Sequence, residues 1–98
     1  MILAKVHTTP EGQSILAACD ADIKGKVYEE GAKILDLTSG FYGGEEVSDE
    51  RLKKLLVSSN ILNLCGEETL HKATEAGVVD KEAIVYIDRI PHVQIAFY

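Results

Sequence analysis

An α+β fold with a mostly antiparallel sheet is what this sequence predicts, on three observations. Strand-like runs gather at the two ends of the chain, within Ile2 to Leu37 and Ala83 to Tyr98. Helical apolar spacing occupies the middle, between Ser48 and Ala76. Strands and helices are therefore segregated, without the strand–helix alternation that builds parallel sheets. The expected order is β-β-β-α-α-β-β, with two helices packed on the sheet. Residues 1–98 form one domain, since 98 residues are too few for two separate cores.

Ile2 to Thr8 is rich in apolar and β-branched residues and reads as the first strand. Thr9-Pro10-Glu11-Gly12 supplies turn chemistry, and Ser14 to Cys19 completes an antiparallel hairpin. Asp20 to Lys24 starts like a helix but meets Gly25 at once, so it makes a single turn. Gly25 to Gly31, bracketed by glycines, reads as a shaped loop, and Lys33 to Leu37 as a third strand with Ile34 or Leu35 facing inward. Ser48 caps a helix whose first turn holds Asp49 and Glu50 and whose buried face holds Leu52, Leu55 and Leu56. That helix ends near Ser59-Asn60, and Ile61, Leu62 and Leu64 follow as an apolar connection. A second helix opens around Gly66-Glu67-Glu68 and runs to Ala76, with Gly77 in the left-handed cap position and Val78 folding back on Ala73. Ala83 to Asp88 and Val93 to Tyr98 close the chain as a hairpin across Arg89-Ile90-Pro91-His92.

Sixteen acidic and ten basic side chains leave a formal net charge of −6, which argues against a large positive surface for grasping phosphates. The groups Lys24, Lys26, Lys33 and Arg51, Lys53, Lys54 are interleaved or flanked by acids and read as solvated faces. Two cysteines, Cys19 and Cys65, lie far apart and form no framework of the kind small secreted proteins carry. Lys5 interrupts the apolar start, so it lacks the pattern of a signal peptide, and no run reaches the roughly twenty apolar residues that span a bilayer. A cytoplasmic protein with no membrane partner is expected.

Chemistry-bearing residues concentrate in loops. Phe41-Tyr42-Gly43-Gly44 pairs two rings that can stack on a base with two glycines whose N–H groups can converge on an anion; the commoner use of such a loop is packing. In Asn63-Leu64-Cys65-Gly66-Glu67, Cys65 would sit at the positive end of a helix, where a thiolate is favoured, but a buried inert cysteine is the commoner outcome. His92 follows Pro91 in the last turn, where an imidazole can transfer a proton or bond backbone. His7, His71, His92 and the cysteines match no zinc spacing, so no metal and no cofactor are expected. The phosphate-binding and nucleophile-elbow motifs are absent, and adjacent acids such as Glu29-Glu30 and Glu45-Glu46 point apart.

Gly25-Lys26 through Glu30-Gly31, then Phe41-Tyr42-Gly43-Gly44, Asn63-Leu64-x-Gly66-Glu67, Glu75-Ala76-Gly77 and Pro91-His92 together resemble an archaeal family, domain of unknown function family 424. The resemblance spans nearly the whole chain; Cys65 stands where an aliphatic residue is expected. It implies an archaeal cytoplasmic protein associated with RNA or the translation apparatus. Three functions are thereby set against one another. The first is a noncatalytic module binding RNA or ribosomal proteins through Phe41, Tyr42, Gly43, Gly44, Asn63, Gly66 and His92. The second is a small enzyme or ligand-binding protein with a glycine-loop anion site and His92 as acid/base. The third is a homo-oligomeric scaffold joined through the C-terminal strand, Val93 to Tyr98.

Overall fold

Ile2, Ala4, Leu16 and Ala18 alternate with Leu3, Lys5, Ala17 and Cys19, and that period of two sends the sets to opposite faces of a sheet. The computed structural model describes residues 1–97. β1 (Ile2–Thr8) and β2 (Ser14–Asp20) form the expected hairpin, in register from Ile2 opposite Asp20 to Thr8 opposite Ser14. Its turn closes with Thr9 N–H donating to Gln13 O at 2.8 Å. The single turn expected after it is a 3-10 turn, Ala21–Ile23.

Five strands, not three, precede the first helix. β3 (Val27–Glu30) lies in the segment expected to be a loop, paired with β4 (Lys33–Asp36) across Gly31, whose φ of 62° suits glycine. Leu35 points inward and Ile34 is 64% exposed. A 3-10 segment, Gly40–Tyr42, leads to β5 (Glu45–Val47), which pairs with the outer edge of β1. α1 (Asp49–Ser58) starts where expected: the Ser48 hydroxyl accepts from Arg51 N–H at 3.1 Å.

The larger correction concerns Ile61 to Leu64. This is no connection but β6 (Ile61–Cys65), a strand at the centre of the sheet. β6 runs parallel to β2 on one side and antiparallel to β8 (Ile90–Ala96) on the other. Leu62 and Leu64 are wholly buried and contribute on the order of 2 kcal/mol each. A five-residue apolar run carries too little periodicity to tell a buried strand from a link. The strand order is β5-β1-β2-β6-β8-β7, with β7 (Val85–Ile87) at the far edge. All pairs but β2–β6 are antiparallel.

α2 (Glu67–Glu75) ends as its sequence predicts, with Gly77 at φ 78°, Gly77 N–H on Thr74 O at 3.0 Å and Val78 N–H on Ala73 O at 3.2 Å. Both helices pack on one face of the sheet, where Leu52, Leu56, Leu70 and Ala73 meet Leu16, Ala18, Leu62, Leu64 and Val93. On the opposite face the β3–β4 hairpin and the 3-10 segment bury a smaller cluster, Ala17, Cys19, Leu35, Leu37, Tyr42, Cys65 and Ile87. The chain is thus α+β with a mostly antiparallel sheet. Among the described residues, no helix is long and apolar enough to cross a membrane.

Candidate functional site

The candidate residues divide among three places, beginning at the junction of β6 and α2. Gly66 takes φ 102°, and a Cβ there would stand 2.4 Å from the Asp20 carboxyl carbon. Asp20, at the end of β2, accepts from Glu68 N–H at 3.0 Å, Thr69 N–H at 2.8 Å and the Thr69 hydroxyl at 2.7 Å. The carboxylate therefore caps α2 from another strand, and glycine is what lets it in. Gly66 is buried in this architecture, against the Asp20 carboxylate. The positive helix end that would favour a Cys65 thiolate is already occupied by Asp20, in line with the inert cysteine read as the commoner outcome. Cys65 has no exposed surface, and burial pushes its thiol up to about 12 despite a hydrogen bond from Tyr42. Cys19, its register partner on β2, is pushed up to about 11 by burial. Neither thiol is a nucleophile near neutrality.

The loop Phe41 to Gly44 turns out to be half core. Tyr42 is only 5% exposed; burial raises its phenol well above the ordinary range, and the adjoining Cys65 thiol adds to the effect. Its ring therefore packs against the sheet. Gly43 has φ −80° and donates its N–H to Gly40 O at 3.1 Å, so that donor is spent. A Cβ on Gly44 would fall 1.7 Å from Ala4 O, so the residue serves the close approach of two backbones. Of the two rings, Phe41 is the one that stays partly exposed. Its ring stacks on His7 with centroids 4.8 Å apart and planes 5° from parallel, and its carbonyl lies 2.9 Å from His7 Nε2.

The third place is the part of the sheet that the hairpin leaves uncovered. Strand alternation puts Lys5 and His7 of β1, Ile15 of β2, Ile61 and Asn63 of β6, and His92 and Gln94 of β8 on this face. Asn63 lies opposite Gln94, and His92 opposite Cys65, so Asn63, His92 and Gln94 are neighbours. Burial lowers the His92 pKa from its ordinary value of 6.5, which keeps the ring neutral at pH 7. Among the described residues none of these three side chains makes an intramolecular hydrogen bond. No carboxylate stands on this face of β1, β2, β6 or β8, although the chain has sixteen.

Phe41, Asn63 and His92 thus border one open surface, while Tyr42 and Gly66 are internal and Gly43 and Gly44 lie at the β1 edge. Three strand spacings separate β1 from β8, roughly 14 Å at the usual 4.7–4.9 Å per step. His92 therefore does not face the glycine loop across a pocket, as the acid/base arrangement required. Of the C-terminal run, β8 carries residues to Ala96; β7 pairs only with Ile90–His92, so the outer edge from Val93 onward has no strand beside it among the described residues, and Tyr98 lies outside them. No three His, Cys, Asp or Glu residues among those described cluster as metal ligands.

Residues 7–97 match the family described as protein of unknown function, DUF424. The chain belongs to this family. The fold is similar to the crystal structure of an uncharacterized conserved protein from Methanopyrus kandleri, at 25% identity and a TM-score of 0.80, covering 96% of this chain and 89% of that one. No curated protein matches.

Sequence reasoning missed His7, Gln94 and Asp20. The signal for His7 was the alternation within the first strand, which places it on the face of Lys5; Gln94 joins His92 only because His92, expected in the turn, lies inside β8. Asp20 carried no signal of its own: its partner Thr69 lies 49 positions away, across the crossover from β2 to β6.

Proposed function

We propose that the chain is a noncatalytic module that binds single-stranded RNA, free or within a ribonucleoprotein of the translation apparatus, on the open half of its sheet. One observation carries the reading: in an acidic protein, the uncovered face of four strands has no carboxylate and presents a stacked His7–Phe41 pair on the same face as three unpartnered polar side chains. Different bases of one unstacked strand would use the two places, one with its π-face on the ring pair and another with edges that Asn63, Gln94 and neutral His92 match as donors or acceptors. Lys5 at the border supplies a cation for phosphate without making the surface strongly basic.

The test is fluorescence anisotropy with labelled single-stranded RNA octamers of each base, at low and moderate salt, alongside co-sedimentation with ribosomes. Phe41→Ala is expected to weaken binding about tenfold or more, since base–aromatic stacking is worth about 1–3 kcal/mol. Val57→Ser, on the exposed side of α1, should bind like wild type. If no octamer binds at low salt, or Phe41→Ala binds undiminished with an intact amide spectrum, the reading is wrong.

A further inference from the structure

β5 is three residues long, and its pairing with β1 ends at Glu45 opposite Ala4. Which β1 groups face outward follows from the hairpin hydrogen bonds. Ala21 N–H donates to Met1 O and Thr9 N–H to Gln13 O, so odd-numbered residues of β1 turn their backbone groups toward β2. Ile2 and Ala4 turn theirs toward β5. Val6 and Thr8 therefore direct an N–H and a C=O each to the open side, and among the described residues no backbone group answers them.

The chain leaves this edge abruptly because Gly44 lets the backbone pass against Ala4 O and bend away into the 3-10 segment. A notch of about 450 Å³ results, lined by Val6, Val47 and Leu55, with Lys5 and Arg51 as cations and Glu45 as the one acid. Val6 is 44% exposed at its centre. Unpaired strand edges are commonly blunted by charge, and here Lys5 and Arg51 flank an apolar floor and leave an acidic strand as the complementary one.

We propose that the β1 edge from Val6 to Thr8 is a docking site for an extended segment of a partner protein, alternately apolar and acidic, added antiparallel to β1 in line with β5. Backbone hydrogen bonds to Val6 and Thr8 would hold the segment, as in strand addition generally. A residue opposite Val6 shares its face and packs toward Leu55. Its neighbours turn to the other face, where Lys5 stands. The excess of Lys5 and Arg51 over Glu45, in a chain of net charge −6, selects an acidic segment over a basic one.

The probes are two blocked hexapeptides, alternating valine–aspartate and alternating valine–lysine, titrated into isotope-labelled protein. The aspartate peptide is expected to shift the Val6 and Thr8 amides and to bind at least about tenfold tighter than the lysine peptide, a difference of about 1.4 kcal/mol. Val6→Pro removes only the outward N–H, which edge strands tolerate, and should abolish binding. Should that variant not fold, the double reversal of exposed side chains, Lys5→Glu with Arg51→Glu, should invert the peptide preference. Equal binding of both peptides, shifts that avoid Val6 and Thr8, or preference unchanged by the charge reversal would each overturn the proposal. So would a wild-type dimer that buries the edge, because the occupant would then be a second copy.

Discussion

The two faces of the six-stranded sheet are built to different standards. On one, α1 and α2 bring long aliphatic side chains onto Leu16, Ala18, Leu62, Leu64 and Val93, and an interstrand carboxylate, Asp20, caps the helix that covers them. On the other, a four-residue-strand hairpin and one 3-10 turn cover only the half near Cys19 and Cys65, with Tyr42 as the largest plug. Beyond Phe41 the second face is bare. Helices bring whole apolar stripes, whereas a short hairpin with exposed Val27 and Ile34 brings few inward side chains. The lesson is that the well-covered face supplies most of the core, while the poorly covered one leaves polar side chains at the surface.

Substitutions at three places, around Gly66, at Tyr42 and at His92, probe that contrast, and their effects should diminish from the helical face to the bare one. Gly66→Ala adds a Cβ at positive φ, 2.4 Å from the Asp20 carboxyl carbon, and displaces the cap of α2. A loss of about 3–5 kcal/mol is expected by chemical denaturation, close to the whole stability of many domains this size. Asp20→Ala in the Gly66→Ala background should then cost little more, since the two act through one contact. If Gly66→Ala is within about 1 kcal/mol of wild type, the tertiary cap does not hold α2.

Tyr42→Ala comes next. Removing the plug from the thinner face should cost about 3 kcal/mol through the cavity left over Cys19 and Cys65. It should also expose those thiols to a thiol reagent that the wild type resists. Tyr42→Phe keeps the ring and loses the hydroxyl at Cys65, at about 1 kcal/mol. Equal thiol protection in wild type and Tyr42→Ala would show that the face is covered by something other than this ring.

The smallest effect is expected at His92. Its pKa is lower in the folded chain than the ordinary 6.5, so below that pH the unfolded chain binds a proton that the folded one resists. Stability should therefore decline as pH falls from 7 toward 5, and the group contributes no pH dependence above neutrality. His92→Gln should flatten that part of the profile relative to wild type. An identical profile in the variant would mean that the ring is as well solvated folded as unfolded.

Local signals carried much of this molecule. Ser48, Gly77 and the Thr9–Gly12 turn act within a few residues of themselves, and each does in the fold what its position implies. The α+β class followed because Leu52, Leu56, Leu70 and Ala73 repeat at helical spacing while the terminal segments do not. The candidate face was half legible: Phe41, Asn63 and His92 were singled out, yet nothing local separated Phe41 from Tyr42. In the 3-10 segment both rings lie against the same cluster, Tyr42 buried by Cys65 and Phe41 at the margin on His7, and contacts distant in sequence set that split.

What the sequence by itself determined was the elements whose ends are capped locally and the α+β class, although the strict segregation of strands from helices expected from it is broken by β6 between α1 and α2. The tertiary structure decided that Ile61–Cys65 is a central strand, that Gly66 and Gly44 each permit a close approach, and that Asn63, His92 and Gln94 are neighbours. The reason is physical. Capping and helical periodicity are written within a turn or two of chain, whereas strand pairing, backbone contact and shared faces join residues tens of positions apart, and become readable only once the register is set.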